Sequence, residues 1–129
     1  MLSTAERSRF DAIFESVLKT IPEPLQHLIE TVPVIIEDQP SAVMMQELEV
    51  NIDDLCGVHT GIPLTERSVE DFGDTEDTIH LFRRGIVACA GGWDSDDLEI
   101  ASEIKITLLH EIGHHFGLDD DALNSIGLG

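Results

Sequence analysis

The sequence predicts an α+β chain, and three observations lead there. Apolar residues recur at helical spacing near the N-terminus. They do so again, over a longer stretch, toward the C-terminus. Between these regions lie short segments rich in β-branched residues and bounded by Gly, Pro and Asp, the signature of strands. A length of 129 residues suits a single domain, 1–129, whose core needs no disulfide or metal staples. An apolar share of 42% excludes wholesale disorder.

Residues 4–20, TAERSRFDAIFESVLKT, place Phe10, Ile13, Phe14, Val17 and Leu18 at helical spacing. Thr4 is the candidate N-cap; with Arg7 three residues on, it makes no capping box. The helix should stop before Pro22, and Pro24 can open a short second helix through about Glu30. His27, within it, reads as an ordinary surface or core histidine. VPVIIE, 32–37, closed by Asp38-Gln39-Pro40, predicts the first strand. Residues 41–50 fit helix or loop equally. LCGVHT, 55–60, followed by Gly61 and Pro63, predicts the second strand, and the acidic stretch from Glu66 to Asp77 an exposed loop. TIHLFR, 78–83, alternates imperfectly and predicts the third strand. Ile86 to Ala90 is a short apolar segment closed by Gly91-Gly92.

The longest regular stretch follows. Asp94 or Ser95 can cap a helix whose first turn holds Asp96, Asp97 and Glu99, acids that suit the positive end of the helix dipole. Leu98, Ala101, Ile104, Leu108 and Ile112 form the expected core stripe, with Glu103 and Thr107 beside it. The tail from Asp121 to Gly129 allows one short helical turn.

That helix runs into HEIGHHFGLDD, residues 110–120. The spacing H-E-x-x-H puts His110 and His114 on one face, one turn apart, where two imidazoles can hold a single Zn²⁺. Glu111 is placed to take a proton from a water. Gly117 can end the helix in a left-handed turn, and Asp120 is an oxygen ligand that the turned chain can bring back to the metal. Asp119 and Asp121 flank it, but the spacing from His114 favours Asp120. Three protein ligands and one open position form the catalytic pattern of zinc, whereas four closed ligands are structural. Gly113, between the histidines, can permit close backbone approach or be only a mild helix defect.

Through these residues the chain resembles the minimal zincin family of small bacterial proteins over nearly its whole length. The segments IPEPL, VPVIIEDQP, LCGVHTGIPL, DTIHLFRRGI and LLHEIGHHFGLDDDAL carry the resemblance, the last most specifically. It implies an α+β fold in which a small mixed β-sheet packs against helices that include a C-terminal active-site helix. It also implies Zn²⁺ as cofactor, His110, His114 and Asp120 as metal ligands, and Glu111 as catalytic base. The implied activity is zinc-dependent hydrolysis of peptide bonds by metal-activated water, with a peptide or protein as substrate. Two departures stand out. The only methionines, Met1, Met44 and Met45, lie upstream of the motif, so the methionine turn of larger zincins is missing; and there is no Tyr to stabilise an oxyanion. His59, His115 or a backbone N–H could make that contact. His59 stands where an aromatic residue is expected, and its plainer reading is a histidine at a strand end.

Charge narrows the partners. Twenty-six acidic against 7 basic residues give −19, which argues against nucleic acid and anionic membranes, since both require Lys/Arg patches. A basic peptide or protein partner would be attracted, although acidity also serves solubility. No apolar run approaches the ~18 residues of a membrane span. The opening MLSTAERSRF lacks the apolar core of a secretory signal, so a cytoplasmic location is expected. Cys56 and Cys89, far apart and outside any C-x-x-C, read as buried free thiols. A second functional reading is a non-catalytic zincin-like module that binds a protein partner. The intact Glu111 favours the enzyme, because a structural metal site has no need of it. Zinc storage is disfavoured by the single ligand cluster.

Overall fold

The computed structural model describes residues 1–60 and 78–115. Their elements run α1 (Thr4–Thr20), α2 (Glu23–Glu30), β1 (Val34–Glu37), α3 (Ala42–Leu48), β2 (Gly57–Thr60), β3 (Thr78–Phe82), α4 (Arg83–Ala90) and α5 (Asp97–His115). The expected α+β class holds, and the sheet is small and mixed. β3 is central, with β1 parallel on one side and β2 antiparallel on the other.

The register explains which face is the core. Ile79 and Leu81 of β3 are fully buried. Residues directly opposite one another in a sheet project to the same face. Val34 and Ile36 on β1, and His59 and Gly57 on β2, therefore share the face of Ile79 and Leu81. That face joins Phe10, Ile13, Phe14 and Val17 of α1, Ile86 and Val87 of α4, and Ile100, Ile104, Leu108 and Ile112 of α5 in one hydrophobic cluster. His80 faces the other way, and its Nδ1 lies 2.7 Å from the Glu37 carboxylate.

Helix starts differ from the sequence expectation in instructive ways. α1 is capped by Ser3, one residue before Thr4. Ser3 Oγ accepts from the Glu6 N–H at 3.1 Å, and Glu6 Oε1 accepts from the Ser3 N–H at 2.8 Å. This reciprocal capping box satisfies two donors at once, which Thr4 with Arg7 cannot do. At α5, Asp96 Oδ1 accepts from the Glu99 N–H at 2.8 Å. Ser95 instead donates to the Ala90 carbonyl at 2.8 Å, closing the end of α4.

The core stripe of α5 also shifts. Leu98 is 81% exposed, and Ile100 is fully buried in its place. The stripe is Ile100, Ile104, Leu108 and Ile112, one residue every fourth position. Arg9 of α1 holds the residues that lead into α5. It donates to the Trp93 and Ser95 carbonyls at 2.7 and 2.6 Å and to Asp97 at 2.9 Å, tying down the first turn. Residues 41–50, ambiguous in sequence, form α3 behind a Ser41 cap, ending at Glu49 with φ 55°. The apolar segment at 86–90 is the latter part of α4, which follows β3 without a loop and ends at Gly91 with φ 113°. A left-handed end of this kind favours glycine.

Strand and helix directions follow from three contacts. Arg9 meets Asp97, and one turn further on Ile13 and Ala101 line a common hollow, so α1 and α5 run in the same sense. Asp38, just beyond β1, is held by Arg7 near the start of α1, so β1 runs the opposite way. β2 is antiparallel to β3 and therefore runs with α5.

Asp38 is the centre of the charged network. Arg7 and Arg83 both donate to it, and Arg83 also pairs with Asp11 and lies over the Phe10 ring, 5.8 Å from its centroid. Hydrogen bonding to Arg7, with the charges of Arg7 and Arg83, outweighs partial desolvation and holds the Asp38 carboxyl below its ordinary value. A depressed folded pKa contributes stability above the unfolded value and loses it as pH falls through the folded one. The stability gap between wild type and Asp38→Asn is therefore expected to be full at neutral pH and to close below about pH 4. Urea midpoints across that range check this; a gap independent of pH would refute it.

Candidate metal centre

The last two turns of α5 carry the site. Leu108 and Ile112 anchor the helix to the core, which turns Glu111 inward to 6% exposure and leaves His110 and His114 half-buried. The His110 and His114 rings, one turn apart, have centroids 4.5 Å apart and planes inclined at 65°. His114 Nδ1 lies 3.7 Å from Glu111 Oε2. One coordinating atom from each of His110, Glu111 and His114 falls within 4.8 Å of the others.

These donors fit a single zinc ion. Ligands about 2.0–2.1 Å from one tetrahedral ion lie roughly 3.4 Å apart. Small rotations of the two imidazoles close that span, with the Glu111 carboxylate beside them. Nitrogen and oxygen donors of this kind are those zinc prefers in catalytic sites. Asp120, Gly117 and the side chain of His115 lie outside the described residues, as do the acidic stretch 66–77 and the tail after 121.

β2 forms the wall beside this helix. A Cβ on Gly57 would stand 2.9 Å from Thr107 Cγ2 and 3.0 Å from the His80 carbonyl oxygen, so strand and helix touch at a glycine. Thr107 is buried there, one turn before Glu111. His59 takes the next position on the same face of β2, in the direction in which α5 runs from Thr107 to Glu111. It is half-buried on the core side of the sheet, not a bare strand-end histidine. The only sequence signal of this contact is Gly57 itself, since a glycine inside a strand pattern is a sign of close backbone approach.

The cysteines depart from expectation. Both are free thiols, but Cys56 is half-buried and Cys89 is exposed, and their sulfurs lie 3.0 Å apart. Burial, then the hydrogen bond and charge of Cys89 and the charges of Glu103 and Glu111, push the Cys56 thiol up to about 12.

Two histidines and a carboxylate on one partly buried helix, flanked by a small mixed sheet, form a group of the zincin kind that could hold a metal ion. A family model described as Zincin-like metallopeptidase matches residues 29–129. The chain belongs to that family, which implies a bound metal, typically zinc. No curated protein matches the chain. Among the described residues, no helix is long and apolar enough to cross a membrane.

Proposed function

We propose that the protein is a zinc-dependent peptidase in which His110, His114 and Asp120 hold the metal and Glu111 is the general base. The single observation that carries this reading is the clustering of His110, Glu111 and His114 on one side of α5, with the carboxylate buried. Zn²⁺, when bound, polarises the scissile carbonyl and lowers the pKa of water toward ~7. Glu111 takes the proton of the attacking water and delivers it to the leaving amine. Its burial against the helix core keeps its two oxygens in place for both transfers. His59, on the α5 side of β2, donates to the developing oxyanion. β2, whose only strand neighbour among the described residues is β3, offers its other edge to an extended peptide. The acidic surface favours a basic one.

The test begins with metal. Wild type loaded with one equivalent of Zn²⁺ and dialysed is expected to retain one ion by elemental analysis. His114→Ala is expected to bind it more than ~100-fold more weakly. The loaded wild type is then expected to cleave members of a random peptide library followed by mass spectrometry. A wild type that takes up no zinc, or a loaded protein that leaves the whole library intact, would overturn the reading.

A further inference from the structure

Outside the metal centre, the described residues bring two thiols together. We propose that Cys56 and Cys89 form a thiol–disulfide redox site, oxidised by a small disulfide of the glutathione type, whose closure ties the approach to β2 onto α4.

The fold builds this pair. Gly85 of α4 is buried, and a Cβ there would overlap the Leu55 carbonyl oxygen and stand 3.1 Å from the Cys56 nitrogen. Helix and incoming strand thus meet backbone to backbone. One turn beyond Gly85, on the same face of α4, comes Cys89. The Cys56 carbonyl accepts from the Phe82 N–H at 2.8 Å, which fixes the other partner. The result is a sulfur–sulfur separation of 3.0 Å between residues 33 positions apart in sequence. A bond of about 2.05 Å needs only a small further approach.

Exposure assigns the roles. Cys89 is open to solvent, whereas Cys56 is half-buried and held as the protonated thiol. The Cys89 thiolate attacks one sulfur of oxidised glutathione, the glutathione S–S bond breaks, and one glutathione leaves as thiolate. Cys56 then loses its proton to that thiolate and attacks Cys89 Sγ, and the second glutathione leaves and takes a proton from solvent. The two protein thiols are oxidised by two electrons, and one oxidised glutathione becomes two reduced ones. The new bond lies one residue before Gly57, the point at which β2 presses on the metal-site helix. The pairing follows from the sulfur–sulfur geometry and does not depend on peptidase activity.

The full chain, metal-loaded and metal-free, is equilibrated with oxidised glutathione, and remaining thiols are alkylated under denaturing conditions. The expected product is a monomer lighter by two hydrogen atoms, with neither cysteine alkylated. Its melting temperature is expected to rise on the order of 10 °C, reversed by dithiothreitol. Cys56→Ser is expected to trap glutathione on Cys89. Cys89→Ser is expected to take up glutathione at least about tenfold more slowly. Wild type that stays fully alkylatable, retains glutathione on Cys89, or links two chains would overturn the proposal. These readouts come from the wild type, so they stand even if a variant fails to fold.

Discussion

Glu111→Gln is expected to take up one zinc ion as the wild type does and to cleave peptide about 10³-fold more slowly. Glutamine has nearly the same shape as glutamate, so the buried position beside Leu108 and Ile112 accepts it without a cavity. What it loses is the capacity to hold a proton between the attack of water and the departure of the amine. General-base catalysis contributes about 10²–10⁴-fold, which sets the size of the effect. Turnover on a cleavable library peptide and zinc content, measured on the same preparation, test it together. Undiminished turnover would remove Glu111 from the mechanism. A loss of zinc would instead place Glu111 among the ligands, an arrangement that the 4.8 Å span of the three donor groups also permits.

Gly85→Ala is expected to destabilise the fold by about 3 kcal/mol, near the top of the range for overpacking. Helix propensity alone argues the opposite. Alanine is better than glycine in a helix interior by about 1 kcal/mol, and Gly85 lies within α4 with ordinary helical geometry. The added methyl group, however, would overlap the Leu55 carbonyl oxygen, and that obstacle is backbone rather than a side chain free to turn away. Either α4 or the segment before β2 must move. The sign of the change in urea midpoint decides between the two effects, and a stabilised variant would show that the contact yields easily. The same displacement is expected to part the Cys56 and Cys89 sulfurs, so Gly85→Ala should also slow disulfide closure.

How much of this was legible in the sequence depends on how local the cause is. His110, Glu111 and His114 are brought together by helical period alone, so their spacing in the chain is their spacing in space. The three strands were recognisable because β-branched residues cluster between breakers, and the structure trims their ends by one or two residues. Leu98 and Ile100 show the limit of periodicity. Leu98 continues a plausible stripe through Ala101 and Ile104, and Ile100 one through Ile104 and Leu108; the choice is made by packing of the helix on the distant core, which takes Ile100 and leaves Leu98 exposed. Ser3 and Thr4 are adjacent candidate caps, and only the reciprocal pairing with Glu6 separates them. The Cys56–Cys89 contact had no local signal at all. It arises from the seating of α4 on the strand approach, a long-range event written in the sequence only as Gly85.

Gly57 works as a spacer set at its thinnest. The strand stands as close to α5 as it does because no side chain intervenes, with Thr107 and the His80 carbonyl already at the limit for a single added carbon. The spacing between β2 and α5 is therefore gauged by a missing methyl group. A residue with no chemistry of its own becomes the shim that sets how closely β2 seats against the helix carrying His110 and His114.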